Sequence, residues 1–274
     1  MTDSIDLRAD LDLALRAVRD AGAGVLAAFR AGPEVRFKSP GQPVTDADEA
    51  ADRLLRERLQ GARPDYGWLS EETADSPERL ARRRLWVVDP IDGTNSFVQG
   101  IPEFVVSVGL VEDGRAVLGV LLNPATDELY HATEGGGAFL NGRPVRVTAT
   151  GTGGGGEART FLGSRSEMRR GDFVRFADAG WRVETMGSTA YRMAKVAEGA
   201  GDAFVSARSK HEWDLCAAAL VLAEAGGRAT DLDGRDLVFN RPRPVFQGIV
   251  ATNGRLHAAV LETVHGGAAD GAEA

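Results

Sequence analysis

Apolar and polar positions alternate along the chain with two different periods. Between residues 5 and 30, Leu7, Leu11, Ala14, Leu15, Val18, Val25, Leu26 and Phe29 recur at mixed three- and four-residue spacing. That spacing draws one apolar stripe along a helix, and Gly32-Pro33 ends it. The stretch PVTDADEAADRLLRERLQ (43–60) predicts a second helix carrying Ala50, Leu54 and Leu55. Asp46, Asp48 and Glu49 fall at its start, where negative charge suits the exposed N–H groups. Beyond YGWLSEE the pattern becomes strand-like. RLWVVD, FVVSVGLVEDGRAVLGVLLNP and ELYHATEGGGAFLNGRPVRV are rich in β-branched and aromatic residues, and Asp-Gly and Asn-Gly pairs break them into hairpins.

GTGGGG (151–156) predicts a flexible connection between an N-terminal half, 1–150, and a C-terminal half, 151–265. It lacks the GxxxxGK[ST] spacing of a phosphate loop. Strand and helix then alternate: RTFLGSRS, a helix over 167–179, WRVETMG, a helix in STAYRMAKVAEGA, DAFVSAR, and a helix in WDLCAAALVLAEAGG closed by its glycine pair. This order predicts a layered α/β architecture. DLDGRD (231–236) reads as a β-turn, since its glycine comes too early for a calcium loop. The tail from 266 to 274 is expected to be disordered.

Composition narrows the partners. The chain has 274 residues, 43% hydrophobic and 26% charged, with a formal net charge of −8. A broad nucleic-acid-binding surface is therefore not expected, and a negative protein handling a negative ligand needs local cations, which bound metal can supply. Cys216 is the single cysteine, so neither an intramolecular disulfide nor a cysteine zinc cluster can form. The four histidines form no HExxH pair. No apolar run approaches the roughly 20 residues of a membrane span, and the N-terminal stretch lacks a signal-peptide core. A cytoplasmic protein without membrane contact is the expectation.

The candidate chemistry sits in LWVVDPIDGTNSF (85–97). Asp89 leaves an apolar strand, Pro90 fixes the backbone, and Asp92 precedes a helix start at Gly93-Thr94. Two carboxylates can converge there while N–H groups of Gly93 and Thr94 face a phosphate. LSEE adds Glu71 and Glu72 after an apolar approach, and HEWDLCAAAL sets Asp214 in the first turn of an apolar helix. Each acid alone has a plainer explanation as a helix cap, a turn residue or a surface charge. Together they suit hard divalent cations, which take oxygen ligands.

LSEE, VVDPIDGTNSF and EWDLCAAALVLAEAGG, in this order, resemble the inositol monophosphatase superfamily over roughly residues 7 to 255, and VTDAD and FKS match in place. The resemblance implies a layered αβαβα sandwich, commonly a homodimer, and a lithium-sensitive phosphatase using two or three Mg²⁺ ions. It implies Glu71, Asp89, Asp92, Asp214 and the carbonyl of Ile91 as metal ligands. Thr94, paired with Asp48 and helped by Glu71, would orient and deprotonate the attacking water. Gly93 and Thr94 would offer N–H groups to the phosphate, with Asp92 and Asp214 beside it and Lys38 near the entrance. Asn95-Ser96-Phe97 departs from the family's usual Thr-Asn-Phe, at positions that are not expected ligands.

The resemblance implies a small phosphorylated metabolite as substrate, and here the sequence departs from true inositol monophosphatases. Ser206 stands where they carry an inositol-binding glutamate, while Arg208 and Lys210 bring positive charge. Ser164, Arg165 and Ser166 resemble a segment of the 3′(2′),5′-bisphosphate nucleotidase branch, and Gly187 and Ser188 stand at a helix start. Arg, Ser and Lys suit a second phosphate. This favours 3′-phosphoadenosine 5′-phosphate over inositol 1-phosphate, with histidinol and sugar phosphates also open. A non-catalytic phosphometabolite-binding relative is the alternative from another class, although no expected ligand is missing.

Overall fold

The computed structural model describes residues 7–39, 42–152 and 159–269. Helix α1 (Leu7–Ala31) leads into the antiparallel pair β1 (Val35–Ser39) and β2 (Gln42–Thr45), followed by helix α2 (Asp46–Ala62). Then come β3 (Gly67–Ser70), a 3-10 turn at Pro77–Ala81, β4 (Arg84–Asp92), the short helix α3 (Thr94–Val98), β5 (Val105–Glu112), β6 (Arg115–Asn123), β7 (Glu128–Thr133), β8 (Gly137–Leu140) and β9 (Arg143–Pro144). Strands β3 to β9 lie in chain order in one seven-stranded sheet. Only β3 and β4 pair in parallel.

The remaining elements are β10 (Thr160–Ser164), α4 (Arg165–Arg169), α5 (Val174–Asp178), β11 (Arg182–Met186), α6 (Thr189–Ala197), β12 (Ala203–Ser206), β13 (Lys210–His211), α7 (Glu212–Glu224), β14 (Arg228–Thr230), β15 (Val245–Phe246), β16 (Ile249–Thr252) and α8 (His257–Ala269). A five-stranded sheet runs β11-β10-β12-β16-β14, and β13 pairs with β15. The single helix expected over 167–179 is two short ones, because Gly171 between them takes a left-handed φ of +80°. The β1–β2 pair and α8 carried no signal in the sequence reading. The expected connector falls largely outside the described residues. The expected tail falls partly on α8 and otherwise outside the described residues.

Side-chain alternation assigns the layers. On β4, Trp86 and Val88 pack with Val18 of α1 and Leu55 of α2, whereas Leu85 and Val87 face Met193 of α6 and Leu215 of α7. On the second sheet, Leu162, Phe204 and Ala251 join that same central core. Phe161, Val205 and Val250 turn to Phe176 of α5 and Val260 of α8. The order is therefore helix, sheet, helix, sheet, helix, which is the αβαβα sandwich. Helix α7 is apolar all round because both of its faces are covered. It sits unusually close to the seven-stranded sheet: a Cβ at Gly119 would lie 2.4 Å from the carbonyl oxygen of Ala217, and one at Gly109 2.6 Å from Cys216 Sγ.

Candidate active site

The β4 strand delivers two carboxylates by breaking its own register. Asp89 faces Ser107 of β5, but Asp92 faces Val105, so a three-residue advance meets a two-residue one. Pro90, which has no N–H to give a ladder, lies in this bulge. In an unbroken strand, side chains three apart point to opposite faces. The extra residue restores their parity, and both aspartates line one cavity. The Ile91 N–H donates to Asp89 Oδ1 at 3.0 Å. Gly93 turns the chain with φ of +103°, where a Cβ would stand 2.8 Å from the Glu103 carbonyl oxygen.

Two further acids arrive from other elements. Glu71 follows β3 directly, with its N–H bonded to the Val88 carbonyl at 3.3 Å. Asp214 is in the first turn of α7 and does cap it, since Oδ2 accepts the His211 N–H at 2.8 Å. One carboxylate oxygen each from Glu71, Asp89 and Asp214 lies within 4.8 Å of the others. Burial, reinforced by Glu71, Asp92, Asp214 and Asp48, holds the Asp89 carboxyl well above the usual range. Burial and then Asp92 push Asp214 up to about 7, against the pull of Lys210. Buried like charges with oxygen donors only are what a hard divalent cation offsets, so the donor set fits Mg²⁺. Asp92 lines the same cavity, but its Oδ2 accepts from Ser188 Oγ and from the Ala190 N–H, both at 2.5 Å.

Thr94 and Asp48 meet as a pair. Thr94 Oγ1 lies 3.0 Å from the Ile91 carbonyl oxygen and 3.4 Å from Asp48 Oδ1, and its one proton serves either. Asp48 is buried, with Oδ2 accepting from the Thr45 N–H and hydroxyl at 2.8 and 2.6 Å, so the same side chain caps α2. Asp46 and Glu49 instead pair with Arg36.

The cavity, of about 710 Å³, is also lined by Ser164, Arg165, Gly187, Ser188 and Lys210, which the sequence reading named, and by Arg169 and Arg192. Gly187 is not open to a ligand in the expected way. Its N–H donates to Glu103 Oε2 at 2.6 Å, and Arg165 pairs with that same oxygen. Glu103 escaped the sequence reading, since a lone acid between Pro102 and Phe104 carries no signal. Arg192 escaped it too, hidden in the apolar run of α6. It is buried, and burial pulls its guanidinium down to about 10. Arg208 is exposed and stands off the cavity. Ser206 is buried and donates to Glu167 Oε1 at 2.7 Å. Lys38 belongs to β1, and its side chain lies outside the described residues.

The model of the inositol monophosphatase family matches residues 6–268. The chain belongs to that family. It is 40% identical over 244 residues to the inositol-1-monophosphatase of Rhizobium meliloti, covering 84% of this chain and 86% of that protein. It is 37% identical over 233 residues to the histidinol-phosphatase of Mycobacterium tuberculosis, covering 82% and 85%. The solved inositol monophosphatase structure from Thermotoga maritima superposes with a TM-score of 0.81 at 31% identity, covering 96% of this chain and 98% of that one. Membership makes the chain a phosphoric monoester hydrolase, in a family whose enzymes use Mg²⁺. Among the described residues no helix is long and apolar enough to cross a membrane.

Proposed function

We propose that the chain hydrolyses a small phosphate monoester with Mg²⁺ held by Glu71, Asp89, Asp92, Asp214 and the Ile91 carbonyl. The observation that carries this is the convergence of the Glu71, Asp89 and Asp214 oxygens within 4.8 Å. Bound divalent cations supply the positive charge that this anionic side chain set lacks, and they lower the pKa of water. The chain's own groups do the positioning. Thr94 and Asp48 accept and pass the proton of an incoming water, with Glu71 beside them. The Gly93 and Thr94 N–H groups stand on the phosphate side, and Ser188 holds Asp92 in place.

For the leaving group, the proposal favours one bearing a second anionic group, such as 3′-phosphoadenosine 5′-phosphate. Arg165 is matched by Glu103 and Arg192 stands 4.0 Å from Glu167, while Arg169 and Lys210 line the cavity and form no ion pair among the described residues. Two cations without an ion pair, Lys210 acting also on Asp214, suit a second phosphate beside a metal-covered carboxylate cluster. Inositol 1-phosphate is the second reading, favoured by the name of the 40% identical relative. Phosphate release from the two esters, measured side by side with Mg²⁺, separates them. Faster turnover of 3′-phosphoadenosine 5′-phosphate supports the first reading, and a clear preference for inositol 1-phosphate overturns it.

A further inference from the structure

The residue that holds Asp92, Ser188, is itself held in an unfavourable backbone state. Its φ is +57° with ψ of 134°, a combination that an L-residue with a Cβ rarely adopts. Such a conformation persists only where surrounding contacts outweigh its cost, so each bond to this turn is informative. On the cavity side, the Ser188 hydroxyl donates to Asp92 Oδ2 and accepts from the Tyr191 N–H at 2.9 Å, while the Ala190 N–H reaches the same Asp92 oxygen. From behind, Arg192 Nε donates to the Ser188 carbonyl at 2.9 Å, and Nη2 reaches Thr189 Oγ1 at 3.5 Å.

Arg192 is costly to keep there. Only 3% of it is exposed, its Nη1 is buried without a hydrogen bond, and its one ion pair among the described residues, with Glu167, spans 4.0 Å, while Asp92 and Glu103 act on it from farther off. Its guanidinium carbon lies 4.2 Å from the centre of the Phe204 ring, which fixes the plane of the fork. A buried, incompletely bonded cation is a poor choice for packing alone, because an apolar side chain would fill the same space at lower cost. What an apolar residue lacks is a directed donor to the Ser188 carbonyl.

We propose that Arg192 is a positioning residue: it locks Ser188 in its left-handed turn, so that the Ser188 hydroxyl and the Ala190 N–H aim Asp92 at the candidate metal centre. The relay runs Arg192 to Ser188 to Asp92, and it deepens the metal-dependent reading above. Outer contacts that orient a metal ligand are worth about 10- to 100-fold in metal affinity when removed.

The test uses Arg192→Gln combined with Glu167→Gln, which removes both buried charges, beside the single Arg192→Lys variant. Val205→Ala, in the outer core, is the control for general loosening. In the metal-free protein, amide exchange of a peptide covering 186–193 is compared by mass spectrometry. The relay requires faster exchange there in the double variant, partial recovery in Arg192→Lys, and no selective change in the control. Calorimetric Mg²⁺ titration should then show about 10-fold weaker binding in the double variant than in wild type. A folded double variant with wild-type exchange over 186–193 overturns the proposal. So does faster exchange with unchanged Mg²⁺ affinity, which would make Arg192 a helix fastener only. Failure of the wild type to bind Mg²⁺ overturns the metal reading and with it the relay's function, while the exchange result still reports whether Arg192 locks the turn.

Discussion

The two walls of the cavity solve the problem of buried charge in opposite ways. On the carboxylate wall, Glu71, Asp89, Asp92 and Asp214 come from a strand end, a bulge and a helix start, and they repel one another. On the cation wall, Arg165 is neutralised by Glu103 and Arg192 is faced by Glu167, so much of the charge is cancelled within the protein. The first wall gathers like charges that a divalent cation would offset, whereas the second is partly neutralised from within, at Arg165 and Arg192 but not at Arg169. An incomplete wall declares what it binds. A partly neutralised wall does not, and that is why the reaction class is plainer here than the substrate.

The sharpest way to break this contrast is Asp89→Asn. Asn keeps an Oδ1 acceptor for the Ile91 N–H. It removes one buried negative charge, so activity and metal-free stability should move in opposite directions. Losing charge stabilisation of several kcal/mol lowers kcat/KM by about 10³-fold. Without metal at pH 8 the variant should melt above wild type. A variant that retains most activity, or that melts lower without metal, contradicts an unbalanced carboxylate wall.

Adding the missing charge is the converse experiment. Mg²⁺ at 100 times its dissociation constant contributes about 2.7 kcal/mol for one site, or about 5–10 °C in Tm for a chain of this size. The effect has a pH sign. Asp214 in the folded protein keeps its proton to about 7, while the unfolded chain releases it near the ordinary carboxylate value. Between these values the folded state binds more protons, so this group makes the metal-free protein less stable as pH rises. Mg²⁺ requires the deprotonated form, so its stabilising shift should grow from pH 6 to pH 8 in thermal unfolding. A Tm indifferent to Mg²⁺ at both pH values would falsify the preformed centre.

Gly119→Ala attacks the same wall through packing. The new Cβ would meet backbone at 2.4 Å, which forces α7 away from the sheet and carries Asp214 with it. Overpacking of this kind costs about 1–3 kcal/mol. Thermal unfolding should fall by roughly 2–12 °C, and the Mg²⁺-dependent shift should shrink as well. An unchanged Mg²⁺ shift would show that Asp214 does not depend on the close seat of α7.

Much of this frame was legible in the sequence because its causes are local. The period of α1, the hairpin turns and the all-apolar run of α7 each follow from residues close together in the chain. The αβαβα order and the carboxylate set came from motifs whose spacing resembles a known family. What escaped was non-local or singly encoded. Gly171 splits a helix that periodicity would join. Glu103 meets Gly187 and Arg165 across 84 and 62 residues, and no local pattern marks it. Arg192 looks like a solvated arginine until α6 is seen to be buried. Of these, Glu103 cancels charge on the cation wall, so two residues on which the substrate reading leaned, Arg165 and Gly187, are already engaged.

The smallest expected effect therefore tests the cation that remains. Lys210 lines the cavity, half-buried on β13, and its charge acts on Asp214. Lys210→Gln keeps a polar side chain of nearly the same length and removes the charge. If Lys210 serves a second phosphate, KM for 3′-phosphoadenosine 5′-phosphate should rise about 10-fold, the worth of one charge-assisted contact, while KM for inositol 1-phosphate changes less. If Lys210 mainly balances Asp214, both esters should suffer alike, and the loss should appear as weaker Mg²⁺ dependence on the acid side of the pH profile. The first outcome keeps the two walls distinct in function. The second would make Lys210 part of the carboxylate wall and leave Arg169 alone to recognise a second phosphate.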